Sequence, residues 1–329
     1  MLHSEIASLD KYGVQIIAAK PWRDGHIIIS DKGRYHFKKS AVSVSRINFI
    51  HNARLHLNEH GLRETDNYLC TLSGEPFVLV ENYPFTMTFL PEGRECNFED
   101  ETDVIESVKL LAKFHQASCG FKQSADSVQR DEFGKTKNTA EKRLDEIKKF
   151  YKNSIYGKNE FEKLFNQKAC YFINISEQCI QLFKSKEYEI CLEKARQESY
   201  LSHHDLTYQN IIVDGPKYFI TNFDSCCFDL KVYDLANLIR RKMRKCDWDV
   251  KWGKIMLDEY RKIEHLTFED LYVLKILLMF PQKLWRVINR YNNSNHMWSQ
   301  KFYIQKLKEV LDEIPSHKIF IDNFDEVIC

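Results

Sequence analysis

Residues 211 to 220 constrain the fold more than any other stretch of this chain. Ile211-Ile212-Val213 and Tyr218-Phe219-Ile220 are two apolar runs around Asp214-Gly215-Pro216-Lys217, which is the pattern of a β-hairpin. If Val213 pairs with Tyr218, Ile211 falls opposite Ile220, and Asn210 and Asn222 lie side by side at the open end. Helical periodicity surrounds this hairpin, over 139–156, 160–184 and 188–198 before it and from Asp234 to the C-terminus after it. The chain has no repeat and no low-complexity tract, so the hairpin is an island of β-structure in a helical half.

The other half reads differently. Extended stretches at 14–18, 26–30 and 34–38, the last after the turn Asp31-Lys32-Gly33, suggest a small antiparallel sheet. A helix over 45–60 stopped by Gly61 follows, then strands at 67–72 and 77–81 separated by Ser73-Gly74-Glu75-Pro76. Around Phe89-Leu90-Pro91-Glu92-Gly93 the pattern changes to long helices. In the first of these, over 101–118, Val104, Val108, Leu111 and His115 share one face, so His115 reads as a buried histidine held by a hydrogen bond. The expected organisation is a β-rich lobe over 1–90, a hinge at 91–97 and a helical lobe over 98–329 that carries a catalytic-loop region at 201–236.

A chain of 329 residues fits one large domain of two lobes, or two domains sharing a cleft. With 43% hydrophobic and 29% charged residues and a formal net charge of +1, neither disorder nor bulk attraction to nucleic acid or membrane is suggested. Glu5 and Asp10 stand where a signal peptide needs a basic start and an apolar stretch. The longest apolar run, 273–280, is broken by Lys275 and falls short of the ~20 residues of a membrane span. Synthesis in the cytoplasm is therefore expected. The ten cysteines are scattered without zinc spacing, so reduced, buried thiols are expected, with Cys226 and Cys227 not bonded to each other.

His203-x-Asp205 followed by Asn210 has the spacing of a phosphotransferase catalytic loop. Phosphoryl transfer needs positioned magnesium, a group to orient the attacking hydroxyl and a cation on the donor phosphates. Asp205 suits the second role, Asn210 can offer a carbonyl oxygen to metal, and Lys38 at the end of the third strand is placed to reach phosphates. Asp234 begins a helix after the site, where a short acid caps the helix and braces the loop. Where the magnesium-binding aspartate should come next the chain has Asn222, a neutral amide. Asp224, two residues on, is either a displaced ligand or a carboxylate that closes the turn. The run Arg240, Arg241, Lys242, Arg244, Lys245 reads as a solvated helix face in preference to a docking surface, and with no aromatic platform beside it a nucleic-acid role is disfavoured.

The chain resembles the aminoglycoside phosphotransferase and choline kinase superfamily, and within it the CotS-type spore coat proteins of endospore-forming bacteria. The resemblance spans the chain. It rests on Gly33-Arg-Tyr-His-Phe-Lys38, Leu111-Ala-Lys-Phe-His-Gln-Ala-Ser-Cys-Gly-Phe121, His204-Asp-Leu-Thr-Tyr-Gln-Asn-Ile-Ile212, Asn222-Phe-Asp224, Asp234-Leu-Ala236, and Phe280-Pro-Gln-Lys-Leu-Trp285 with Asn289-Arg-Tyr291. It implies an α+β, bilobal protein-kinase-like fold, expression in the mother cell during sporulation and residence in the spore coat. By the superfamily pattern Asp205 would be the catalytic base, Asn210 a magnesium ligand, Lys38 the phosphate-binding lysine and Asp234 a structural acid. ATP and magnesium are the implied cofactors, weakly bound or absent because of Asn222. No Gly-x-Gly-x-x-Gly cradle is present, and the helix over 45–60 has Glu59 as its only acid, so Lys38 lacks an evident partner. The expectation is a degenerate kinase acting as a binding or assembly module, with other spore coat proteins or a phosphate-bearing or hydroxyl substrate as partner. The alternative is an active, divergent small-molecule or protein kinase using Asp205.

Overall fold

The computed structural model describes residues 3–128, 130–293 and 300–327. The chain divides into two compact units, Met1–Asp131 with Glu198–Asp234, and Glu132–Gln197 with Leu235–Cys329.

The first unit opens with helix α1 (His3–Leu9) and strands β1 (Ile16–Trp22), β2 (Gly25–Ser30) and β3 (Gly33–Lys39). Helix α2 (Val44–Glu59) follows, its N-terminus closed by the Ser43 side chain, which accepts from Arg46 N–H. Strands β4 (Val78–Val80) and β5 (Tyr83–Phe89) complete an antiparallel sheet of order β1-β2-β3-β5-β4. Ile28, Phe37 and Met87 from three of these strands meet Leu9 and Tyr12 in its core. The strand expected over 67–72 does not form, apart from a single bridge between Tyr68 and Thr88. The expected strand at 77–81 is short, and a strand absent from the sequence reading, β5, takes the place beside β3. Glu81 and Asn82, at φ 52° and 67°, make the tight turn between β4 and β5. Pro84 obscures β5 in the sequence, since proline argues against a central strand; here it stands at the beginning, before the pairing with β3 starts at Phe85.

Strand β6 (Arg94–Glu95), helix α3 (Glu101–Ser118) and strands β7 (Leu201–Ser202), β8 (Ile211–Asp214), β9 (Lys217–Ile220) and β10 (Cys227–Phe228) complete this unit. The hairpin β8–β9 has the expected register, with Val213 opposite Tyr218 and Ile211 opposite Ile220. On its other side β8 pairs with β6. This approach needs a glycine: Gly93 has φ +122°, and a Cβ there would lie 2.1 Å from the Val213 carbonyl oxygen.

The second unit is helical. It contains α4 (Lys135–Ser154), α5 (Glu160–Asn166), α6 (Ala169–Leu182), α7 (Lys186–Glu198), most of α8 (Lys231–Met243), α9 (Val250–Arg261), α10 (Phe268–Met279), α11 (Gln282–Asn293), α12 (Gln300–Asp312), α13 (Ile314–Asp322) and α14 (Phe324–Val327). The helix expected over 160–184 is two, α5 and α6. Phe150, Phe161, Phe165, Leu284 and Leu307 pack in one core there, and Tyr291 stacks on Phe161 at 3.9 Å. The basic run is not the solvated face its charge suggested, because Arg240 and Lys242 are buried and Lys242 Nζ sits 4.0 Å over the Trp252 ring. The nine cysteines among the described residues, Cys226 and Cys227 included, are free thiols. No helix among the described residues is long and apolar enough to cross a membrane.

Replacing Gly93 with alanine should lower the unfolding free energy by about 2–3 kcal/mol, from backbone strain and the clash with Val213. Urea titration checks this, and an unchanged midpoint would mean that β6 can detach from the hairpin without cost.

Candidate active site

A buried carboxylate sets the loop that carries Asp205. Asp234 lies in the first turn of α8, which starts at Lys231, three residues earlier than the sequence suggested. Its side chain does not close the helix. Oδ2 accepts from Ser202 Oγ at 2.8 Å and His203 N–H at 2.6 Å, and Oδ1 accepts from His204 N–H at 2.9 Å. Burial alone would raise this carboxyl, but His115, 3.6 Å away and itself buried, helps to hold it below the usual carboxylate range. Asp234 thus braces the loop, as expected, and His115 is the buried histidine its position on α3 implied.

His203 extends the brace. Its Nε2 lies 3.0 Å from the Thr221 carbonyl oxygen, which can only accept, so Nε2 carries the proton and Nδ1 is left to accept from Asp205 N–H at 3.3 Å. Burial pushes this imidazole down, which keeps the ring neutral in that tautomer. Asn210 then closes the loop onto Asp205, its Nδ2 donating to the Asp205 carbonyl at 2.8 Å and to Oδ2 at 3.1 Å.

The two amides meet as the hairpin register requires, with Asn222 Nδ2 donating to Asn210 Oδ1 at 3.4 Å. Asn222 has φ 67° and ψ 64°, a left-handed conformation that asparagine tolerates, and its N–H is held by Asp66 Oδ2 at 2.8 Å. Asp66 also holds Arg54 of α2, Oδ1 to Nη2 at 2.5 Å, and this buried pair keeps the guanidinium charged. The ring faces of Tyr68 and Phe223 flank Arg54 at 4.2 and 4.8 Å. Neither Arg54 nor Asp66 was singled out from the sequence. Asp66 adjoins a segment read as a strand, and α2 shows no clear apolar stripe against which an inward arginine would stand out.

Lys38 does have acid partners, but not from α2. Its Nζ lies 3.2 Å from Asp224 Oδ2 and 3.4 Å from Asp24 Oδ2. Burial works against the charge, yet Asp224 and Asp24 together outweigh it and hold the amine above the ordinary lysine value. Asp224 sits in the turn 223–225, and its side chain is committed to Lys38. His36 points the same way, 3.4 Å from Asp24, but burial, with Lys38 beside it, pushes its imidazole down to about 4. From α2, Arg46 donates to the carbonyl oxygens of Cys226 and, at 3.5 Å, Asp224. The structure therefore brings together Lys38 with Asp224, and Asp205 with Asn210 and Asn222.

A cavity of about 400 Å³ is lined by Lys38, Arg54, Asp66, Asn222 and Asp224 together with the apolar Phe89, Leu90 and Ile212. That size and mixture suit a small organic ligand, and the cations suit a phosphate. The donor set does not suit magnesium, which wants charged oxygens in octahedral order: Asp224 and Asp24 are paired with Lys38, Asp66 with Arg54, and the amides bond to each other. Among the described residues no three of His, Cys, Asp or Glu are grouped to hold a metal.

Over residues 8–324 the chain matches the family described as "Spore coat putative kinase YutH". It is 23% identical to spore coat protein S of Bacillus subtilis (strain 168), a match covering 98% of this chain and 94% of that protein. Among solved structures it is similar to an aminoglycoside phosphotransferase from Alicyclobacillus acidocaldarius, with a TM-score of 0.87 at 17% identity over 98% of this chain and 96% of that one. Spectinomycin phosphotransferase APH(9)-Ia is also similar, at a TM-score of 0.59 and 16% identity over 93% of both chains. The fold is accordingly the bilobal α+β kinase-like one, with a β-rich N-terminal lobe holding β1 to β6 and a helical C-terminal lobe holding α8 to α14. The chain belongs to the family described as "Spore coat putative kinase YutH".

Proposed function

We propose that this chain is a spore coat-associated protein that uses the kinase fold to bind a ligand or partner during sporulation and transfers phosphate little or not at all. The observation that carries this reading is the electrostatics around Asn222. The position for a charged magnesium ligand is a neutral amide bonded to Asn210, and Asp224, the acid two residues on, is the counter-ion of Lys38. A phosphate-bearing ligand, ATP or another, would meet Lys38 and Arg54 in the cavity, with its apolar part against Phe89, Leu90 and Ile212. Synthesis in the mother cell and assembly with other coat proteins fit the family's description and the name of the Bacillus relative.

One observation favours the second reading, an active ATP-dependent small-molecule or protein phosphotransferase. The loop holding Asp205 is fully braced, and Asp205 Oδ1 accepts no hydrogen bond among the described residues, so it is available to orient a substrate hydroxyl and take its proton. When bound, magnesium would supply charge to the donor phosphates through Asn210, Asn222 and Asp224; Lys38 would have to exchange Asp224 for phosphate oxygens.

Two substitutions separate these readings. Asn222→Asp adds a charge that, at ~4 Å from a dication and an effective dielectric of about 20, is worth several kcal/mol before desolvation. Calorimetry should find magnesium-ATP bound at least about tenfold more tightly by Asn222→Asp than by the parent. Equal affinities, or tight magnesium-dependent binding by the parent, would move the active kinase ahead. Asp224→Asn releases Lys38 and removes a negative charge from the cavity, so ATP without magnesium should bind several-fold more tightly to that variant. Were Asp224 a metal ligand, the same variant would instead lose affinity for magnesium-ATP.

A further inference from the structure

The basic run that begins in α8 leads to a second cavity, wholly within the helical unit. It is small, with room of about 50 Å³, which is still more than one water requires. Phe172, Leu278, Met279 and Ile314 give it apolar walls, and Arg240 and Arg244, four residues apart, also line it. The segment Phe280-Pro-Gln-Lys, which the kinase-like site does not use, lines it as well. Gln282 Oε1 accepts from Arg240 Nη1 at 2.8 Å, and the Leu277 carbonyl accepts from Nη2 at 2.6 Å, so this guanidinium is fixed in place.

Arg244 is held far less well. Its only ion pair among the described residues is Nε to Glu313 Oε2 at 3.9 Å, and Nε has no hydrogen-bond partner. Glu313 is already engaged, with Lys283 Nζ 2.5 Å from Oε1 and Trp248 Nε1 3.5 Å from Oε2. Burial pushes the Arg244 guanidinium down to about 10, in keeping with a charge that lacks partners. His317, whose Nε2 lies 3.1 Å from the Leu278 carbonyl oxygen, is pushed to about 4 by burial together with Arg240 and Arg244, so it adds no charge. The Arg244 side chain is 22% exposed, so its guanidinium is only partly hydrated, and a partly buried charge with so few partners costs some stability unless something completes it.

We propose that this cavity binds a small organic carboxylate, with the Arg244 fork on its two oxygens and a short apolar tail against Phe172, Leu278 and Met279. A guanidinium matches a carboxylate with two parallel N–H bonds. A monoanion suits this cavity better than phosphate, whose second charge would have to draw Arg240 from Gln282 and the Leu277 carbonyl or Lys283 from Glu313. Glu313 is neutralised mainly by Lys283 at 2.5 Å, so the ligand competes only with a 3.9 Å contact at Arg244.

Ligand-observed NMR titration of the full chain with propionate, 1-propanol and inorganic phosphate tests this. Propionate should bind saturably, at least tenfold more tightly than propanol and more tightly than phosphate, and Arg244→Gln should lose at least tenfold of the propionate affinity. Without ligand, Arg244→Met should melt at the same or a higher temperature than the parent, because it removes an under-satisfied, partly buried charge. No saturable propionate binding, a preference for phosphate, or undiminished binding by Arg244→Gln would overturn the proposal. So would a lower melting temperature for Arg244→Met, which would make Arg244 a structural residue.

Discussion

A carboxylate with no exposed surface, Asp234, fixes the part of this molecule on which the rest of the candidate site depends. An ion taken out of water needs several donors to remain charged, and Asp234 finds them in one hydroxyl and two successive backbone N–H groups. Meeting that demand turns residues 202 to 204 toward Asp234, with His204 in a left-handed conformation at φ 66°. His203 is thereby aimed at the Thr221 carbonyl, Asp205 follows, and Asn210 locks onto Asp205. The loop is thus ordered by the protein's own hydrogen bonds, with no contribution required from a ligand.

Helix α2 reverses the polarity expected next to such a loop. In place of a carboxylate for Lys38 it sends two arginines inward, Arg54 to Asp66 and Arg46 to backbone carbonyls. Lys38 consequently draws its counter-ions from the hairpin side and from the turn before β2. The outcome is a cavity whose lysine and arginine are each matched by an acid, so its field is largely cancelled before any ligand arrives. An anionic ligand must displace those acids, which makes binding an exchange of partners.

Local pattern disclosed much of this. The hairpin register was legible because two apolar runs and a turn leave little choice of pairing, and adjacency of Asn210 and Asn222 follows from it. Long helices such as α3 were legible from their period. What escaped depends on contacts that no local window contains. Asp224, the nearer of the two acids that hold Lys38, is 186 residues away from it in sequence, and Asp66 meets Asn222 across 156. The short strand β5 was hidden by Pro84. The basic run misled because sequence charge does not tell a solvated lysine from one laid over tryptophan, as Lys242 is over Trp252.

The left-handed backbone at Asn222 carries an implication for how this site could change over time. Asparagine and aspartate are the two residues, apart from glycine, that most readily accept that conformation, and they are nearly equal in size. Their codons differ by a single base in the first position. Nothing in the chain's backbone at this point therefore separates a neutral site from a charged one, and a lineage could cross between them in either direction by one mutation without refolding the loop.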